Sequence, residues 1–168
     1  MCKRGVGRSI RHYQLKDIIH RAVTRGSTPS VLEPPGLSRT DGKRQDGLTL
    51  IPWQRGKSLT WDVTVTDTVA DSYLHLTSTK AGGAAENAAT KKEEHVDLQQ
   101  TCTFIPLAFE TLGPINVKGV EFLQELDHRL AAISDDNRQT SFLFHRISIT
   151  PQRFNAITFA ETFDKFMR

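Results

Sequence analysis

Two periods of hydrophobic residues along the chain predict where it forms helices and where it forms strands. Apolar residues recur at helical spacing over Ser9–Val23, which predicts an amphipathic helix that Gly26 is placed to end. A second apolar stripe, from Val117 to about Ile133, predicts another helix. The segment Phe142–Phe166 is also periodic, but Pro151 breaks it, so helix and strand both remain open there.

An alternating pattern in the middle of the chain predicts a β-hairpin. The β-rich runs Gly47–Trp53 and Ser58–Val65 flank a short turn in which Gly56 takes the positive backbone angle that other residues avoid. In the second run, apolar residues alternate with threonines and an aspartate, which predicts one core face and one polar face. Trp61 lies on the core face, whereas Trp53, near the turn, is open to packing in the core or stacking on bases.

Three further segments complete the predicted order of elements. Thr28–Asp46 is rich in Pro, Gly, Ser and Asp and is predicted to be a loop. Thr79–Leu98 is predicted to be helical, and Thr103–Thr111 a strand in which Pro106 indicates an edge or a bulge. The order predicts an α/β fold in which helices flank a small mixed sheet, in one domain over residues 9–168.

Composition excludes several classes of protein. With 168 residues, 38% hydrophobic and 24% charged, the chain suits a single folded domain. No apolar run approaches the roughly 18 residues of a membrane helix, and two cysteines, Cys2 and Cys102, cannot form a disulfide framework. The Gly-rich AGGAAENAATKK lacks the ending of a phosphate-binding loop. We therefore expect a soluble intracellular protein that has no membrane partner and no small-molecule cofactor.

Charge is distributed unevenly along the chain. Residues 1–57 hold 12 Lys or Arg and four acids, a balance of +8, whereas residues 58–168 hold 10 and 15, a balance of −5. A basic first part indicates an anionic partner, most often nucleic acid, although a targeting segment or two surfaces that neutralise each other would give the same balance. The candidate nucleic-acid contacts are Arg8, Arg11, His12, Lys16 and Arg44.

Four side chains are candidates for chemistry because the predicted elements bring them together: Glu33, Asp46, Asp62 and Lys91. Carboxylates at one place can hold Mg²⁺ through oxygen ligands, and a metal held there can activate water to hydrolyse a phosphodiester. A lysine beside them would orient that water or neutralise developing charge. The alternative is that Glu33 and Asp46 are turn residues and that Asp62 is solvated on an exposed face.

The hairpin geometry limits how close the two aspartates can be. If the turn lies between Trp53 and Ser58, Asp62 lies opposite Thr49. Asp46 is then three residues away along the strand, an offset of about 10 Å. A bulge or a strong twist is needed to bring both carboxylates to one ion.

The same residues carry a resemblance to a known family. The string EPPGLSRTDGKRQDGLTLIPWQRGKSLTWDVTVTDT, followed by AGGAAENAATKK and FIPLAFETLGP, resembles the C-terminal region of non-LTR retrotransposon reverse-transcriptase polyproteins. The similarity extends from Arg8 to about Ala156. It implies a restriction-endonuclease-like core of the PD-(D/E)xK type, which nicks target DNA with the help of Mg²⁺.

The resemblance implies a role for each candidate. Asp46 matches the first acidic motif and Asp62 the second, so these two residues are the implied Mg²⁺ ligands. Lys91 matches the basic position and would support the attacking water, and Glu33 would assist. Residues 1–8 resemble the end of a zinc knuckle, with Cys2 as its last ligand, so we expect a fragment or a decayed copy of a longer polyprotein.

The chain also departs from the family pattern. Gln45 replaces a proline, Glu94 stands where a second lysine is expected, Pro151 interrupts a continuous segment, and Phe154 replaces a glycine. We expect a Mg²⁺-dependent DNA endonuclease-like domain in the nucleus. The departures favour, as an alternative, a non-catalytic nucleic-acid-binding remnant of the same fold. A third possibility is a protein-interaction domain that uses the acidic half.

Overall fold

A computed structural model describes residues 6–35, 42, 44–94, 101–134 and 138–166, with side chains from residue 9 onward and, in the last helix, from 142 to 160. In chain order the elements are α1 (Val6–Arg25), β1 (Ser30–Leu32), β2 (Gly47–Thr49), β3 (Ser58–Thr66), α2 (Leu74–Thr77), α3 (Gly83–Glu94), β4 (Cys102–Glu110), α4 (Val117–Ser134) and α5 (Arg138–Phe166). The expected knuckle remnant around Cys2 and the side chain of Arg8 lie outside the described part of the chain.

The four strands form one mixed sheet in the order β1-β2-β3-β4. The first three strands pair antiparallel, and β4 pairs parallel to β3 along all nine of its residues. A parallel neighbour needs a crossover connection, which α2 and α3 supply here. The predicted α/β class, with helices flanking a small mixed sheet, is confirmed. Its first strand, β1, lies inside the segment predicted to be a loop.

Helices cover both faces of the sheet. On one face α1, α4 and α5 enclose the main hydrophobic core, in which Trp61 is fully buried as predicted. On the other face four alanines of α3 and β4 pack together, and their small side chains allow the helix to lie close to the sheet. Thr60 and Asp62, on the polar face of β3, are both buried, so the alternative in which Asp62 is solvated on an exposed face is wrong.

The buried end of β4 anchors α3. Glu110 is completely buried, and its Oε1 accepts the N–H groups of Ala84 at 2.9 Å and Ala85 at 3.2 Å. These N–H groups belong to the first turn of the helix, where backbone donors have no partner within the helix itself. A carboxylate at this end also interacts favourably with the helix dipole.

Pro106 lies on an edge strand, one of the two placements predicted for it. β4 is the last strand of the sheet, and Pro106 is aligned with Asp62 of β3. Beyond β4, the side chain of Asn116 takes the place of a further strand: its Oδ1 accepts the N–H of Ala108 at 2.9 Å, and its Nδ2 donates to the Pro106 carbonyl at 3.0 Å. The edge of β4 beside Pro106, which has no N–H of its own, thus has hydrogen-bond partners for the Pro106 carbonyl and the Ala108 N–H.

The C-terminal segment, which the pattern left open, is helical through Pro151. Leu143, Ile147 and Phe154 are buried at helical spacing, so burial of this stripe offsets the backbone hydrogen bond that proline cannot donate. No helix in the described ranges is both long and apolar enough to cross a bilayer.

The hairpin has the predicted turn but a different alignment at its base. Gln54 pairs with Lys57 across the turn, and Gly56 has the predicted positive φ of 74°. Nearer the base, Gly47 pairs with Trp61, which shifts the alignment by three residues from the predicted one. Asp46, directly before Gly47, therefore lies across from Asp62, and the predicted position of Thr49 opposite Asp62 is wrong.

The shift arises from three extra residues in the first arm. Residues 50–52 bulge outward, leaving Leu50 and Ile51 exposed, and Pro52 has no N–H to donate to the ladder. Thr49 closes the bulge, because its Oγ1 accepts the Leu59 N–H at 2.8 Å and donates to the Ile51 carbonyl at 2.9 Å.

The turn offers a test of this hairpin. Arg55 and Gly56 both have positive φ, 50° and 74°, as in a type I′ turn, for which Asn-Gly is the preferred pair. We expect Arg55→Asn to raise the free energy of unfolding by about 0.5 kcal/mol and Gly56→Ala to lower it by about 1 kcal/mol. Urea denaturation of both variants measures these changes. A more stable Gly56→Ala variant would contradict the turn geometry.

Candidate functional site

Two buried aspartates face each other at the centre of the sheet. Asp46 is 7% exposed and Asp62 is 5% exposed, and each carboxyl group shifts the pKa of the other. The backbone fixes Asp46 on both sides, since its N–H donates to the Trp61 carbonyl at 3.0 Å and its Oδ2 accepts the Val63 N–H at 2.7 Å. The observed hairpin alignment thus places the two aspartates side by side, whereas the predicted alignment would separate them by three residues along the strand.

Basic side chains from two helices surround this pair. From α3, the Lys92 ammonium contacts Asp62 Oδ2. From α1, Lys16 Nζ lies 3.4 Å from Asp46 Oδ1, and His12 Nε2 lies 3.5 Å from Asp46 Oδ2. We refer to Asp46 and Asp62 as the acid pair.

The lysine at Asp62 is one residue away from the predicted one. Lys91 is exposed, whereas Lys92 turns toward the sheet and keeps only 21% of its side chain exposed. Helical spacing explains the difference, because residue 92 follows Ala88 by one turn on the face that packs against the sheet. The signal in the sequence that would have identified Lys92 was the stripe of alanines at helical spacing, because it marks the face of α3 that packs against the sheet.

Glu33 is connected to the acid pair by Lys16, which contacts both Glu33 and Asp46. Its Oε1 contacts Lys16 Nζ, which also pairs with Asp46, and its backbone N–H donates to the Asp46 carbonyl at 3.1 Å. Glu33 has a φ of 48°, a left-handed conformation that is uncommon for a residue with a side chain. Its side chain stays 60% exposed.

The two aspartates have opposite pKa shifts. Burial, together with the adjacent Asp46, raises the pKa of Asp62 to about 6, although Lys92 acts against this shift. Burial would also raise the pKa of Asp46, but hydrogen bonds from His12, Asp62 and the Val63 N–H hold it well below its usual range. The acid pair therefore releases its first proton readily and its second with difficulty.

The pKa values of the two basic partners from α1, His12 and Lys16, are both raised. The hydrogen bond to Asp46 raises the pKa of His12, whose Nε2 also lies 3.0 Å from the Val63 carbonyl oxygen. Burial lowers the pKa of Lys16, but its contacts with Glu33 and Asp46 outweigh burial, and the pKa is raised overall. Lys16 in turn lowers the pKa of Glu33.

The predicted nucleic-acid contacts divide into two groups. Arg11 and Lys16 are buried because α1 packs these positions against α5 and the sheet, and Arg11 donates to Asn155 Oδ1 at 2.8 Å. Neither presents an open cationic surface. Arg44 is exposed, and its charge lowers the pKa of Glu33. His12 keeps 39% of its side chain exposed beside the acid pair.

Trp53, which was open to either role, belongs to the core. It is 6% exposed, its ring lies 5.6 Å from that of Phe122, and the Arg129 guanidinium stacks over it at 3.6 Å. Arg129 also donates to the Trp53 carbonyl at 3.0 Å. The indole is therefore buried against a ring and a guanidinium near the hairpin turn, which does not suit stacking on a base.

Two of the departures from the family pattern lie close to the site. Gln45, adjacent to Asp46, is completely buried, and neither polar atom of its amide has a hydrogen-bond partner among the described residues. Burying an amide in this way is costly, and it occurs where the family has a proline. Glu94 ends α3 in an exposed position.

The acid pair offers oxygen ligands of the kind that Mg²⁺ prefers. Within the described ranges, no group of three or more His, Cys, Asp or Glu side chains is arranged to hold a metal ion. Mg²⁺ commonly binds one or two carboxylates and keeps several waters, so two carboxylates and the neighbouring Val63 carbonyl suit it in ligand type. Two adjacent buried acids also favour a cation, because each raises the cost of ionising the other.

Comparison with known proteins assigns no family to this site. No protein-family model matches the chain, and no curated protein shows a significant similarity to it. The geometry of the acid pair and the resemblance seen in the sequence are therefore the grounds for proposing a function.

The raised pKa of Asp62 predicts a loss of stability with rising pH. Its pKa is about 6 in the folded protein against an ordinary value of 3.8, so the folded state binds the proton more tightly. That contribution is complete below about pH 4 and disappears as the pH rises through about 6, a change on the order of 2 kcal/mol. Asp62→Asn, which cannot titrate, should lack this decrease. Urea denaturation of both proteins in EDTA at pH 4.5 and 7.5 measures it, and equal pH dependence would contradict the prediction.

Proposed function

We propose that this domain is a Mg²⁺-dependent DNA endonuclease related to the restriction-endonuclease-like region of non-LTR retrotransposon polyproteins. The observation that carries the proposal is the buried acid pair with Lys92 at Asp62. Two carboxylates and a lysine meeting at the centre of a sheet form a set of groups suited to phosphodiester hydrolysis.

The arrangement of the elements supports the restriction-endonuclease-like core that the resemblance implies. Asp62 lies on β3 and Asp46 directly precedes the neighbouring β2, and the basic group comes from α3, a helix after the hairpin. Both features agree with the motif order in the resemblance, with Lys92 in the role first given to Lys91.

Asp46 and Asp62 would hold the metal ion. Bound there, Mg²⁺ would supply positive charge at a phosphate oxygen and lower the pKa of a water ligand. The Asp46 carboxylate is oriented for this role because the Val63 N–H fixes its Oδ2. Lys16 lies near Oδ1. Lys92 would orient the attacking water or neutralise charge as the phosphodiester is cleaved, and its contact with Asp62 keeps it beside the acid pair.

The charge distribution supports DNA as the substrate. The first 57 residues carry a balance of +8, the partly exposed His12 lies beside the acid pair, and the exposed Arg44 precedes Asp46 by two residues. Positive charge beside the reacting phosphate would attract and position the DNA backbone. A nuclear location follows from such a substrate and is part of the proposal.

A second candidate function is DNA binding without cleavage. The observation that favours it is that Lys16, His12 and Lys92 already neutralise the acid pair. A cation supplied by the protein competes with a metal ion for the same carboxylate oxygens. The unpartnered amide of Gln45 beside Asp46 is a further sign of a site altered from the family pattern.

Nicking of supercoiled plasmid in Mg²⁺ distinguishes the two candidates. We expect the chain to nick and Asp62→Asn to lose this activity, because an amide is a poorer ligand for Mg²⁺. Asp71→Asn, which removes an exposed aspartate with the same change in charge, serves as the control and should nick like the unaltered chain. DNA binding without nicking by the unaltered chain would support the second candidate, and equal nicking by Asp62→Asn would exclude the proposed site.

The two adjacent lysines provide a second test. We expect Lys92→Met to reduce the nicking rate by about 100-fold or more, since it removes the cation at Asp62, whereas Lys91→Met should leave the rate close to that of the unaltered chain. Circular dichroism spectra of both variants serve as the control that each one folds. Loss of nicking in Lys91→Met alone would contradict this assignment and would support the catalytic role that the sequence predicted for Lys91.

A further inference from the structure

Lys16 lies between two carboxylates that differ greatly in exposure. Its own side chain is 4% exposed, and that of Asp46 is 10% exposed, whereas that of Glu33 is 60% exposed. Glu33 is therefore the partner of Lys16 that can exchange with a group from solvent, while Asp46 remains in place.

Asp46 does not depend on Glu33 for its orientation. Its carboxylate accepts the Val63 N–H and lies beside His12 and Lys16, and none of these contacts involves Glu33. The backbone of Glu33 is fixed separately, through its N–H to the Asp46 carbonyl. The Glu33 side chain can thus leave Lys16 without disturbing the backbone or the acid pair.

A carboxylate on a lysine occupies the position that a phosphate oxygen would take. Both are anionic oxygen acceptors, and an ammonium group binds either one. A second cation, the exposed Arg44, precedes Asp46 by two residues in the chain, and its charge lowers the pKa of the same Glu33 carboxylate. Lys16 and Arg44 together thus have the charge to bind one phosphate group beside Asp46.

We propose that Lys16 and Arg44 form a binding position for a DNA backbone phosphate, and that Glu33 occupies this position in the free protein until DNA displaces it. The inference rests on the proposed function for the identity of the anion. It gives Glu33 a role that differs from assisting the reaction, because Glu33 acts as a built-in competitor that weakens DNA binding. The left-handed backbone at Glu33, φ 48°, is the conformation in which its carboxylate meets Lys16.

Binding of a fluorescein-labelled duplex of about 20 base pairs, measured by anisotropy in EDTA, tests this inference without requiring cleavage. We expect Glu33→Gln to bind about three- to tenfold more tightly than the unaltered chain, because one competing charge has been removed. The slope of log affinity against log salt concentration should stay close to that of the unaltered chain, because DNA reaches the same phosphate position in both proteins. Adding Arg44→Gln to this variant should reverse most of the gain.

Glu121→Gln is the matched control, since Glu121 is exposed on α4 and its substitution changes net charge by the same amount. We expect it to bind the duplex with the affinity of the unaltered chain. Equal effects of Glu33→Gln and Glu121→Gln, weaker binding by Glu33→Gln, or no DNA binding by any of these proteins would overturn the inference. Tighter binding by Glu33→Gln in a chain that does not nick would support the phosphate position while excluding the proposed endonuclease activity, so the two failures are distinguishable.

Discussion

Two carboxylates buried side by side impose the constraint around which this molecule is arranged. Two unit charges about 4 Å apart at an effective dielectric constant of about 20 repel by about 4 kcal/mol. The alignment of β2 and β3 holds Asp46 and Asp62 side by side, and Asp46 cannot turn toward water without losing the Val63 N–H. The surrounding structure must therefore supply compensating positive charge or keep a proton between them.

The compensating cations come from helices on both faces of the sheet. Lys16 and His12 reach the acid pair from α1, on the face of the main core, and Lys92 reaches it from α3, on the opposite face. The placement of α3 depends in turn on the buried Glu110 carboxylate at its first turn. The electrostatics of the site thus depend on how helices on both faces of the sheet are positioned, and a change at the end of β4 can act on the cation beside Asp62.

The elements set by local sequence were predictable, and the contacts between elements were less so. The helices α1 and α4 and the turn at Gly56 follow from periodicity and backbone preference, and the resemblance identified both aspartates. The burial of Lys16 depends on packing of α1 against elements far along the chain, so a helical pattern could not show it. Choosing Lys92 over Lys91 required knowing which face of α3 meets the sheet. The DNA substrate, the metal ion and the finer fold family remain predictions.

The exposed bulge at residues 50–52 has a consequence for how this site can change over evolution. Side chains of a strand alternate between the two faces of a sheet, so one residue gained or lost there would move Asp46 out of line with Asp62 and onto the opposite face. Surface loops usually tolerate changes in length. Here the number of residues is constrained even though Leu50 and Ile51 lie at the surface, and this stretch should vary in sequence far more readily than in length.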